Sequence, residues 1–66
     1  MAVSDRYVVY DPNDPRRGKV LPDAELGQII LGEGRTITKA LAAAGLPPSG
    51  SHVWDREKRR VAYTVP

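Results

Sequence analysis

The spacing of apolar residues along the 66-residue chain changes period several times. Tyr7, Val8, Val9 and Tyr10 form a short β-branched and aromatic run behind Arg6, which predicts a strand over 6–10. Asp11-Pro12-Asn13-Asp14-Pro15 is dense in turn residues. Gly18-Lys19-Val20-Leu21 reads as a brief extended return. From Pro22-Asp23 the period lengthens: Leu26, Ile29 and Ile30 recur at three- and four-residue spacing, predicting a helix over about 22–31. Gly27 weakens that helix by about 1 kcal/mol relative to alanine, and a strand at 28–31 is the competing reading. After Gly32-Glu33-Gly34, the residues Ile37, Ala40, Leu41 and Ala44 share one helical face. They predict a helix over 36–45, closed by Gly45 and by Pro47-Pro48. His52-Val53-Trp54 and Val61 to Val65 flank a polar stretch, so a β-hairpin is expected over about 52–65. The expected fold is one small α+β domain over 1–66: an N-terminal strand, two short central helices and a C-terminal hairpin.

Composition narrows the chemistry. There is no cysteine, so disulfides, thiolate metal ligands and a thiol nucleophile are excluded. One histidine excludes a multi-histidine metal site, and no cofactor motif is expected. The longest apolar run, Ile29-Ile30-Leu31, is far too short to span a bilayer. No basic-then-apolar leader opens the sequence, and the expected compartment is the cytoplasm. Ten basic and eight acidic residues give a net charge of +2. That charge is polarised: residues 1–34 carry four basic and six acidic groups, and residues 35–66 carry six and two. The densest cluster is Arg56-Glu57-Lys58-Arg59-Arg60, a local positive patch suited to a phosphate backbone. Trp54 and Tyr63 are expected in the core, since the chain has no phenylalanine to fill it.

The segment Glu25 to Leu41, ELGQIILGEGRTITKAL, resembles the helix-turn-helix unit of small DNA-binding regulators, resolvases and excisionase-like proteins. Gly27 matches the small residue of the first helix, Leu26 and Ile30 its apolar flanks, and Ile37 the β-branched residue of the second helix. The Leu31-Gly32-Glu33-Gly34 turn departs from the usual order. The resemblance implies that the second helix enters the major groove, with Gly34, Arg35, Thr38 and Lys39 at its groove-facing positions. Arg35 would read guanine, Thr38 a base edge or phosphate, and Lys39 a phosphate. Gly32 and Gly34 would let backbone amides approach a phosphate. The following hairpin resembles the wing of winged-helix proteins and would bring Arg56, Lys58, Arg59 and Arg60 to the nucleic acid. The function so implied is a non-enzymatic transcription regulator that binds duplex DNA, as a homodimer or in arrays.

Two other readings remain open. A compact domain of this size suits a phage- or plasmid-type inhibitor that binds a host protein, through the acidic turn Asp11 to Asp14 or an exposed strand edge. Gly50-Ser51-His52, followed by Arg59-Arg60 and a strand ending Val65-Pro66, resembles the HicA family of toxin RNases. That resemblance implies His52 as general acid or base, helped by Arg56 to Arg60. The family's second helix after the last strand has no counterpart in this sequence, and neither do residues 1–34 in the family.

Overall fold

The computed structural model describes residues 5–16, 18, 19, 22, 23 and 26–66. Among them the chain forms four strands and one helix, in the order β1 (Tyr7–Tyr10), β2 (Ile30–Gly34), α1 (Ile37–Ala44), β3 (His52–Asp55) and β4 (Arg60–Thr64). The strands make one antiparallel sheet in the spatial order β2-β1-β3-β4. β1 is central, pairing Val9 with Gly32 on one side and with Val53 on the other. β2 and β3 therefore run in the same direction with β1 between them, and α1 is the crossover that joins them.

The α+β class, the first strand, the helix over 36–45 and the C-terminal hairpin all agree with the sequence. The helix expected over 22–31 is not formed. Residues 30–34 are strand β2, and residues 26–28 lie in a turn. The physical cause sits at Asp23 and Gly27. The Asp23 carboxylate accepts from the Leu26 amide at 3.0 Å, and its carbonyl accepts from the Gly27 amide at 2.7 Å, so one turn begins. Gly27 then takes a φ of +68°, a left-handed conformation that ends it. The Asp23 amide closes the loop onto the Gln28 carbonyl at 2.8 Å. The β-branched pair Ile29-Ile30 is left to enter a strand, as the competing reading required. Gly18 and Lys19 lie in a turn, and Val20 and Leu21, the rest of the extended segment expected at 18–21, lie outside the described residues, as does Glu25.

α1 is built as its sequence suggests. The Thr36 hydroxyl caps it by accepting from the Lys39 amide at 3.1 Å, and Gly45 ends it at φ 79°. Its buried residue Ala40 meets Val9 and Val53 in the core, with Tyr7, Leu31, Ile37, Leu41 and Ala44 packed around them. The helix sits off-centre, mainly over β2 and β1, with only its rim near β3. Two glycines allow this. A β-carbon on Gly32 would lie within 2.7 Å of the Ala44 Cα, and one on Gly34 within 2.7 Å of the Lys39 carbonyl carbon. Helix and strand thus touch backbone to backbone, closer than any side chain permits.

On the opposite face Val8 is fully buried, and Asp14 and Ile29 are buried within the β1–β2 connection. Trp54 is half-buried beside Val8, while Tyr63 is 42% exposed on β4. Only the tryptophan approaches the core role expected of both.

Replacing Gly34 with alanine forces the helix off the strand, and overpacking of this kind costs about 1–3 kcal/mol. Thermal unfolding of Gly34→Ala should show a midpoint at least several degrees below that of the parent. An unchanged midpoint would show that α1 does not need this contact.

Candidate nucleic-acid interface

Strand register gathers the basic residues at one end of the sheet. Gly34, Tyr7, Asp55 and Arg60 are partners in one continuous row across β2, β1, β3 and β4. Arg35 follows directly on Gly34, and Lys39 packs beside Gly34 in the first turn of α1. Lys58 and Arg59 lie in the β3–β4 turn, and Arg60 opens β4. Three inter-strand spacings separate the β2 and β4 sides of this end, about 14 Å.

Three of the carboxylates at the same end are engaged, while that of Asp5, just ahead of β1, forms no ion pair among the described residues. Arg6 grips Asp55 with two hydrogen bonds, Nε to Oδ1 at 3.1 Å and Nη2 to Oδ2 at 3.0 Å. Its Nη1 lies 3.3 Å from Glu57 Oε2, and its guanidinium stacks 5.1 Å from the Tyr7 ring centroid. Arg56 donates from Nη2 to Glu33 Oε1 at 3.0 Å and from Nη1 to the Asp5 carbonyl at 2.9 Å. Glu33, Asp55 and Glu57 are each held by an arginine. Among the described residues, the side chains of Arg35, Lys39, Lys58, Arg59 and Arg60 form no ion pair, and all five residues are exposed.

Asp55 shapes the turn that carries three of these cations. Its Oδ1 also accepts from the amides of Glu57 at 2.9 Å and Lys58 at 3.2 Å. Its carbonyl accepts from the Arg59 amide at 2.7 Å, and the Arg56 amide donates to the Arg6 carbonyl at 2.9 Å. An aspartate opening a tight turn commonly accepts such amides. The Arg6 guanidinium, seconded by these two amides, holds the Asp55 carboxyl at about 2 against the burial that opposes it. Arg59 closes the turn at φ 56°, the one non-glycine residue among those described with a positive φ.

The sequence-predicted site residues separate into two groups. Arg35, Thr38, Lys39, Lys58, Arg59 and Arg60 are exposed, five of them forming the cationic end. Gly34 is buried under α1 and presents nothing to a groove, and Gly32 likewise faces the helix backbone rather than a phosphate. Arg56 has a side chain only 12% exposed and spans from β2 to the chain entering β1, so it holds the fold. With β2 in place of a first helix, α1 stands against a strand and not against a second helix. Sequence reasoning missed Arg6 and Glu33, whose partners lie 49 and 23 residues away. Asp55 was legible as a turn-opening aspartate; its arginine was not.

The other candidate features are placed as follows. His52 shares a 3.2 Å hydrogen bond between Nδ1 and the Tyr10 hydroxyl, with the rings edge-on at 5.4 Å. His52 pairs with Thr64, and Asp55 with Arg60, so the imidazole sits three residues, about 10 Å, from the cationic end. Among the described residues, none of the arginines at that end is hydrogen-bonded to it. In the acidic turn, Asp14 is buried and bound by Arg16 through Nε and Nη2 at 3.1 and 2.9 Å. Asp11 accepts from the Asn13 amide at 2.9 Å. Those carboxylates are used within their own loop. No cluster of three or more potential metal ligands occurs among the described residues, and none of their helices is long and apolar enough to cross a membrane.

Comparison with known proteins finds no matching family model, curated protein or solved structure.

The Asp55 carboxyl is the group from which acid sensitivity is expected. Its folded value, about 2, lies below the ordinary 3.8, so its contribution to stability is complete above the ordinary value and is lost as the pH falls through about 2. The unfolding midpoint should drop steeply between these two values, and Asp55→Asn should flatten that drop while lowering stability at neutral pH. An acid limb unaltered in Asp55→Asn would assign it to other carboxylates.

Proposed function

We propose that the protein binds duplex DNA through the cationic end of its sheet, as a non-enzymatic regulatory protein. The observation that carries this reading is the division of charge at that end. Arg6 and Arg56 occupy three local carboxylates, Asp55, Glu57 and Glu33, and five further cations are left without an acidic partner against the one remaining carboxylate, Asp5, among the described residues. Ordinary surfaces intersperse both signs, whereas a patch in which free cations outnumber free carboxylates attracts phosphate and releases the counterions condensed on it. The contact is of strand-and-turn type. Lys58, Arg59 and Arg60 project from a two-stranded hairpin, while Arg35 and Lys39 reach phosphates from the foot of α1. Thr38, exposed on the same helix, would touch a base edge or a phosphate.

The backbone of Arg59 supports the same reading. A left-handed conformation disfavours any side chain by about 1–2 kcal/mol, and glycine relieves it. An arginine in this conformation supports a use for its side chain beyond folding.

Anisotropy of a labelled duplex of about 30 base pairs should show binding at about 50 mM salt that weakens steeply by about 200 mM. Each lost phosphate contact lowers the logarithmic salt slope by about 0.9, so Arg59→Ala with Arg60→Ala should reduce it by nearly two on every sequence. Arg59→Gly should weaken binding while raising the unfolding midpoint by a few degrees, a combination that a purely structural arginine would not give. Absence of binding at low salt would overturn the proposal.

A further inference from the structure

The β3–β4 turn uses all of its amides within the protein. The Arg56 amide donates to the Arg6 carbonyl at 2.9 Å, and the Glu57 and Lys58 amides donate to Asp55 Oδ1 at 2.9 and 3.2 Å. The Arg59 amide donates to the Asp55 carbonyl at 2.7 Å. With four successive amides engaged, the turn offers no cradle of N–H groups and meets an anion only through side chains. Arg6 fixes the same Asp55 carboxylate with two further hydrogen bonds. A side chain leaving this turn starts from a fixed base, as contacts of defined direction require. Charge alone does not call for an arginine at 59. Lys58 and Arg60 flank it and would serve a phosphate with glycine between them. Arg59 nevertheless occupies the left-handed region at φ 56°, at a cost that glycine would avoid. What its guanidinium adds over mere charge is a planar fork of donors.

We infer that Arg59 is the residue by which the protein distinguishes DNA sequences, its guanidinium donating to O6 and N7 of one guanine in the major groove. The inference rests on the duplex-binding reading and names the contact that makes such binding selective. Groove dimensions support it. A two-stranded ribbon with strands about 4.8 Å apart enters the major groove, about 12 Å wide, and not the minor groove, about 6 Å wide. With the turn in the groove, β2 lies two strand spacings, about 10 Å, from β3. That exceeds the groove's half-width of about 6 Å, so Arg35 and Lys39 fall over the flanking phosphates. Phosphate contacts set the register, and the arginine of the turn reads the base. Glu57, the carboxylate in the same turn, has its charge met by Arg6 at 3.3 Å. On sequences that lack the guanine, the Arg59 side chain pairs with phosphate, so its charge counts on every duplex.

Selection by the whole protein from duplexes randomised at about ten central base pairs should enrich a guanine. Replacing that guanine with 7-deazaguanine removes the N7 acceptor and leaves the charge of the duplex unchanged. Affinity of the parent should then fall at least about fivefold. Arg59→Lys keeps the charge and loses the fork. It should bind both duplexes alike with the salt slope of the parent, and circular dichroism with the unfolding midpoint confirms that it is folded. Arg35→Lys should retain the preference. A parent that enriches no guanine, or that binds the two duplexes equally, would overturn the inference. So would a preference that survives in Arg59→Lys or disappears in Arg35→Lys. Salt-dependent binding with no base preference leaves duplex binding standing and removes only the role of Arg59, whereas no binding to any duplex at about 50 mM salt removes both.

Discussion

The Arg6–Asp55 ion pair joins the entry to β1 with the last residue of β3, 49 positions along the chain. Several features of the molecule hang on that single carboxylate. One of its oxygens takes Arg6 Nε and two turn amides together, and the other takes Nη2. It thereby closes the β3–β4 turn, anchors the start of the central strand and removes a negative charge from the end of the sheet where cations gather. A buried carboxylate without such partners would be costly, and with them it organises its surroundings. This carboxylate, in the midst of a basic turn, holds that turn in shape.

A second constraint is the off-centre helix. α1 covers the β2 and β1 half of one face because Gly32 and Gly34 let it descend onto the strand. β4 is consequently the open side of the molecule, exposed along its whole length. The boundaries differ in character: the end with Arg35, Lys39 and the hairpin turn concentrates charge, while the β4 edge beyond Arg60 is uncharged.

Legibility in the sequence followed the range of the interactions. β1, α1 and the hairpin were readable because local composition decides them: a β-branched and aromatic run, a capped alanine-rich helix, and two short strands around a polar turn. The helix expected over 22–31 failed because Leu26, Ile29 and Ile30 fit a helical period, yet a glycine in a left-handed conformation divides them. Short apolar runs are ambiguous between the two periods, and here pairing with Tyr10 and Val9 decided for a strand. The exposed basic residues of the candidate site were visible as a charge cluster. Arg35 and Lys39 could be joined to the hairpin only through sheet register, which brings positions about twenty residues apart to the same end. Arg56 looked equivalent to its neighbours, and only the fold distinguishes it as a structural residue.

The Gly32-Glu33-Gly34 stretch carries a consequence for how this chain tolerates change in length. Both glycines must face the helix, and side chains alternate along a strand, so one residue added or removed between them would turn one of them away from α1. The distance from Gly34 to Ile37 is equally constrained, because Ala40 must land on the strand it overlies. The β1–β2 connection has no such phase to keep. Homologues with this fold should therefore preserve the spacing from the first glycine to the end of the helix and vary in length before it. That spacing is a better guide to distant relatives than any individual charged residue.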